Sequence, residues 1–114
     1  PEDFDDTKKS LETGKRKRNS ENSRSICDAL LAPEPGELTF EINKNLLDGG
    51  ITVSDEEVKS AIIFLAEHLK IISEPGGAVA AAATINKKID IKNKNVIVMI
   101  SGGNIDADVF TGLR

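Results

Sequence analysis

Several short stretches of this chain combine residue types that can do chemistry. Ser101-Gly102-Gly103-Asn104 follows directly on the unbroken apolar run Val96-Ile97-Val98-Met99-Ile100. A hydroxyl there stands at the carboxyl end of an expected buried strand, where open parallel sheets place their ligands. The glycines would let backbone come close without side-chain obstruction, and a following helix start would offer free N–H groups. The same residues also suit a plain strand-to-helix turn, and spacing alone leaves both readings open. Glu74-Pro75-Gly76-Gly77 is the second stretch. A carboxylate between Ile71-Ile72 and a tight turn is costly unless it is paired or faces a polar cleft. An exposed acid capping a helix is the alternative. Asp3, Asp5 and Asp6 could give oxygen ligands to a hard cation, or could cap a helix.

The remaining reactive side chains point to little chemistry. Cys27, between Ile26 and Asp28, reads as a small buried filler, because no second cysteine or nearby histidine builds a zinc site or a nucleophile pair. His68 follows Glu67 on a helix and is expected to be exposed or half-buried. Lys15-Arg16-Lys17-Arg18 reads as a solvated loop, since no aromatic residue interleaves it for stacking on bases.

These residues need elements to hold them. Residues 7–12 predict a short helix, capped by Asp5 or Asp6 and ended by Gly14. Prolines and a glycine turn the chain before a helix starting near Gly36, with Leu38, Ile42 and Leu46 as its apolar stripe. Residues 51–53 are a short strand candidate. Ser54 and Glu57 match a capping box, and Val58, Ala61, Ile62, Leu65, Ala66 and Leu69 repeat at helical spacing behind it. Residues 78–83 make an alanine-rich helix, expected to lie tight against a sheet. Residues 96–100, apolar throughout, predict a parallel strand covered on both faces. Helices between separated strands indicate α/β architecture, with too few strands for a whole sheet.

The 114 residues fit one small domain, and 39% hydrophobic with 30% charged residues reads as globular. No apolar run approaches the ~20 residues of a membrane helix. A net charge of −4 argues against a general affinity for nucleic acid or anionic lipid. A single cysteine excludes an intrachain disulfide framework and agrees with a cytoplasmic protein. The chain starts at Pro1 rather than Met, and is expected to be part of something longer.

"FDDTKKSLETGKR", "SICDALLAPEPGELTF", "VSDEEV", "KIISEPGGAVAAAA" and "VIVMISGGNID" occur in this order. Together they resemble the C-terminal part of the pyridoxal-phosphate-dependent threonine dehydratases, a family that includes serine dehydratases and serine racemase. The resemblance covers essentially the whole chain, and the pairing of "EPGGAVA" with "SGGNID" is its specific part. It implies an α/β fold, the closing part of the parallel-sheet large domain of fold type II enzymes, incomplete on its own. It implies that Ser101 hydrogen-bonds the pyridine nitrogen of pyridoxal 5'-phosphate, with Glu74, Gly102 and the turn at Asp28-Ala29 bordering the cofactor. A neutral hydroxyl does not hold that nitrogen protonated as a carboxylate would, which suits rapid β-elimination.

For a divalent cation such as Mg2+, the resemblance implies the Phe4 carbonyl and the Asp6 carboxylate, with a glutamate expected just before Pro1. The family's Schiff-base lysine sits in a Ser-Phe-Lys-like motif near the amino end, and no lysine here has that context. The glycine-rich phosphate loop is also not among these residues. The segment alone is therefore expected to be inactive, with no catalytic residue of its own and the remaining N-terminal part as its partner. The intact enzyme is expected to be a homodimer or tetramer that takes a small amino acid, converting threonine to 2-oxobutyrate and ammonia. Serine racemase or a hydroxyaspartate dehydratase is the alternative within the family, and a non-catalytic α/β binding module the alternative outside it.

Overall fold

A computed structural model describes residues 1–113. Its elements in order are α1 (Asp6–Thr13), a 3₁₀ turn (Asp28–Leu30), α2 (Glu37–Leu46), α3 (Asp55–Phe64) continued by a π turn (Leu65–Leu69), α4 (Pro75–Ile85) and α5 (Ala107–Thr111). The helices expected over residues 7–12, after Gly36, from Ser54 to Leu69 and over 78–83 all form. Gly14 closes α1 at φ 68°, a left-handed conformation that glycine adopts without a Cβ penalty. Asp5 precedes α1 without capping it, and instead its carboxylate meets Lys9 Nζ at 2.7 Å, one turn on.

The core is the seam between α3 and α4. Val58, Ala61, Ile62 and Leu65 from one helix join Ala78, Ala81 and Ala82 from the other, with Cys27 and Val53 completing the buried cluster. The alanine face of α4 therefore packs first of all on a helix, where a sheet was expected. Short side chains on one side let the larger residues of α3 fill the gap at close interhelical distance. Pro75 occupies the first turn of α4, where its absent N–H costs nothing.

One apolar face lies open, and two strand candidates lack a ladder among the described residues. The stripe of α2 is not buried: Leu38, Ile42 and Leu46 are 75%, 50% and 73% exposed, and Phe40 is the side chain that turns inward. An amphipathic face is buried only against a second surface, and none of the described elements covers this one. Residues 51–53 and 96–100 are likewise not in β-ladders among the described residues. Residues 51–53 make a single backbone contact of strand type, Glu2 N–H donating to the Val53 carbonyl at 2.9 Å. Residues 96–100 keep the period of two without the ladder. Val98 and Ile100 pack on the core, while Ile97 and Met99 are 93% and 69% exposed. A strand is defined by its neighbours' hydrogen bonds, and no neighbour lies among the described residues.

The capping box forms as read. The Ser54 hydroxyl accepts from Glu57 N–H at 3.2 Å, and the Glu57 carboxylate accepts from Ser54 N–H at 2.8 Å. The other oxygen of Glu57 meets Lys88 Nζ, 2.8 Å away, just past the end of α4. The hydrogen bond from Lys88 chiefly, and then that from Ser54 N–H, hold the Glu57 carboxyl below its ordinary pKa. A depressed folded-state pKa adds stability that is present above the unfolded value and is lost as pH falls through the folded one. Lowering the pH from about 5 to about 3 is therefore expected to shift the urea midpoint downward, and Glu57→Gln to flatten that part of the profile. An identical slope in the variant would rule out this source.

Candidate functional site

The "EPGG" and "SGGN" stretches meet at the start of α4. Glu74 N–H donates to the Gly102 carbonyl at 3.1 Å. In return, the Glu74 carboxylate accepts from Asn104 N–H at 3.1 Å. The glycines permit this contact by lacking a Cβ. A Cβ on Gly77 would stand 2.5 Å from the Gly102 carbonyl oxygen and 2.8 Å from its nitrogen, and one on Gly103 would stand 2.7 Å from the Ile72 carbonyl. A Cβ on Gly102 would run into the Glu74 carboxyl. None of these glycines has a positive φ, so close approach rather than backbone freedom selects them.

The third stretch reaches the same place from the other side. The 3₁₀ turn Asp28–Leu30 puts the Ala29 methyl 3.3 Å from the position of a Gly76 Cβ. Asp55, in the first turn of α3, anchors the chain just before that turn. Its carboxylate accepts from Ser25 Oγ at 2.6 Å and from Ile26 N–H at 3.0 Å. Ser101, Gly102, Glu74 and Ala29, four residues from three separate stretches of the chain, thus lie around one end of α4. The Ser101 hydroxyl is exposed and has no hydrogen-bond partner among the described residues. The helix start expected immediately behind the glycines is not there, because α5 begins only at Ala107.

Elsewhere the candidates are less productive. Asp6 is 7% exposed, and its carboxylate accepts from Asn19 Nδ2 at 2.7 Å. Asn19 Nδ2 also reaches the Ala32 carbonyl at 3.0 Å, while its own Oδ1 is buried without a partner. Asp5 is held by Lys9, and no group of three or more His, Cys, Asp or Glu side chains suited to a metal occurs among the described residues. Phe4 and Asp6 alone do not make a cation site, so no chemistry is routed through one. Cys27 is fully buried, and burial pushes its thiol pKa up, which leaves it an inert packing group. His68 is exposed, its ring 4.6 Å from that of Phe64. The basic run folds back on its own chain: Arg16 and Arg18 meet Glu34 at 3.3 and 3.6 Å, and Arg16 Nε donates to the Pro35 carbonyl at 2.8 Å.

One residue at this junction carries no motif signal of its own in the sequence. Ser73 is completely buried, and its hydroxyl lies 3.1 Å from the Gly102 carbonyl and 3.0 Å from that of Glu74. A small hydroxyl between Ile72 and Glu74 is the only available hint.

Residues 1–102 match the family profile described as pyridoxal-phosphate dependent enzyme. The chain belongs to that family. Among its curated relatives, the L-threonine ammonia-lyase of Thermotoga maritima is 42% identical over 100 residues, covering 88% of this chain and 24% of the relative. Among solved structures, a threonine deaminase from T.th. superposes with a TM-score of 0.85 at 35% identity, over 93% of this chain and 38% of that one. Maize serine racemase superposes with a TM-score of 0.84 at 29% identity, over 98% of this chain and 35% of that one. The chain thus shares the fold of these enzymes, fold type II, while spanning about a quarter of the length of the curated relative. No described helix is long and apolar enough to cross a membrane.

Proposed function

We propose that this chain is the C-terminal segment of the catalytic domain of a pyridoxal-phosphate-dependent L-threonine/L-serine dehydratase. The observation that carries the reading is the hydrogen-bonded meeting of Glu74 with Gly102 and Asn104, which leaves the Ser101 hydroxyl exposed at its edge. The threonine-specific names of relatives such as that of Thermotoga maritima support the substrate. In this reading residues 96–100 are a strand of the large domain's parallel sheet, and their alternating exposure supports it.

The residues present fit the cofactor: Ser101 has an exposed, unpartnered hydroxyl to offer, beside a junction whose glycines bring two backbone segments into contact. Bound pyridoxal phosphate supplies an electron sink, letting the α-proton and the β-hydroxyl of the substrate leave to give a 2-oxo acid and ammonia. The chain's own part is positioning. Ser101 holds the pyridine nitrogen through a neutral hydrogen bond. Glu74, tied by Asn104 N–H, fixes the turn that carries Ser101, and Gly102 makes room for the Glu74 carboxyl beside it. The turn at Ala29 closes the neighbouring edge. Proton transfer and covalent attachment belong to a lysine in the rest of the polypeptide, so the segment alone is inactive.

In the complete enzyme, Ser101→Ala is expected to weaken cofactor affinity and lower 2-oxobutyrate formation about tenfold, the worth of one hydrogen bond of roughly 1.4 kcal/mol. Cofactor absorbance titration and a coupled keto-acid assay read both. Wild-type values in this variant would remove Ser101 from the site. Serine racemase is the second reading, favoured by the superposition on the maize enzyme. Chiral analysis of serine incubated with the enzyme separates them, since a racemase gives D-serine where a dehydratase gives pyruvate. The exposed stripe of α2 supports a homodimer or tetramer, or burial under the rest of the polypeptide, and the lone reduced cysteine supports a cytoplasmic location.

A further inference from the structure

Ser73 is buried to 0% exposure, yet its hydroxyl is the only polar group of its side chain and makes two contacts of consequence. It lies 3.1 Å from the Gly102 carbonyl and 3.0 Å from the Glu74 carbonyl, so one O–H serves both sides of the junction. The Gly102 carbonyl also accepts Glu74 N–H at 3.1 Å, so it takes two donors from the two residues preceding α4. A carbonyl with two donors loses most of its freedom to rotate, because a peptide flip would break both hydrogen bonds at once. The peptide plane held in this way is that of Gly102–Gly103, which follows directly on the residue after Ser101. Packing closes the same joint from above, since a Cβ on Gly77 would stand 2.9 Å from Ser73 Oγ. No other buried hydroxyl among the described residues spans two of the motifs: Ser10 of α1, the other fully buried serine, only accepts from Lys17 N–H at 2.7 Å, just past the end of its own helix.

We propose that Ser73 is a positioning residue that fixes the Gly102–Gly103 peptide, and through it the turn that carries Ser101, and thereby aims the Ser101 hydroxyl at the cofactor nitrogen. This rests on the assignment of Ser101 made above. Ser73 touches neither cofactor nor substrate and acts only through Gly102. An apolar side chain of similar size at position 73 would pack as well, but would leave the Gly102 carbonyl with one donor and the turn free to rock.

The test is a double-mutant cycle in the complete enzyme loaded with pyridoxal phosphate 15N-labelled in its ring. Ser73→Ala is expected to weaken cofactor affinity about fivefold and to move the ring 15N resonance toward its position in Ser101→Ala. The double variant is expected to be no worse than Ser101→Ala alone, because Ser73 has nothing left to aim. A merely structural serine would lower the melting temperature and leave the ring resonance of the folded enzyme where it was, with losses that add in the double variant. That outcome overturns the role of Ser73 while leaving the cofactor assignment standing. An unchanged 15N resonance and affinity in Ser101→Ala would overturn the assignment itself, and this inference with it. If Ser73→Ala does not fold, Ser73→Cys keeps a weak donor of similar size at the same position, and the same cycle is read with it.

Discussion

Gly77→Ala is expected to destabilise the protein by about 3 kcal/mol and to abolish cofactor binding in the complete enzyme, the largest single effect of any small-residue change at this site. The added methyl would stand 2.5 Å from the Gly102 carbonyl oxygen, 2.8 Å from its nitrogen and 2.9 Å from Ser73 Oγ. Two of these three atoms are backbone, and the third belongs to a buried side chain bonded in place. Relief therefore requires moving the whole 101–104 turn away from α4, which breaks the Glu74–Gly102 and Asn104–Glu74 hydrogen bonds together. Gly102→Ala is a useful contrast. Its Cβ meets only the carboxyl end of Glu74, which can rotate away at the loss of the Asn104 contact. The smaller penalty, about 1 kcal/mol, would separate a backbone collision from a side-chain one. Urea unfolding and cofactor absorbance read both variants, and a Gly77→Ala protein of wild-type stability would show that the two segments are not in contact.

Ile62→Ala is expected to cost about 4 kcal/mol, toward the upper end of large-to-small changes. Ile62 is fully buried and is the largest such side chain among the described residues. Its cluster is bordered on the α4 side by Ala78, Ala81 and Ala82, residues with no rotamers to swing into a cavity. The void can close only by moving a helix, and α4 is the helix whose start carries Glu74. Loss of stability and loss of cofactor affinity should therefore occur together in this variant, even though Ile62 lies away from the site. A thermal shift with unchanged affinity would show that the site is insulated from the core. A cost below about 1.5 kcal/mol would show that the seam collapses freely.

The local instructions in this sequence are strong, which is why the helices were legible. Gly14 closes α1, Ser54 and Glu57 open α3 with reciprocal hydrogen bonds, and Pro75 starts α4, each through contacts within a few residues. Such signals do not depend on distant partners. The stripe of α2 is apolar as read, but helical spacing does not say what covers a face. The "VIVMI" run has the same limit. Its composition predicts a strand covered on both faces, but the ladder that makes a strand belongs to its neighbours.

Residue type and order alone determined where α1 to α4 lie to within a few residues, the candidacy of Ser101, Gly102, Glu74 and Ala29, and the family resemblance. Tertiary structure decided what those residues do to one another. It brought residues 73–77 against residues 101–104, gave the glycines their purpose as contact points, and assigned Asp6 to Asn19 rather than to an open oxygen cage. It also gave Ser73 a place that no spacing rule could supply. The physical reason is range. Caps and turns are written by hydrogen bonds between near neighbours, whereas a contact across 29 residues, such as Ser73 to Gly102, is fixed only when the helices between them have packed.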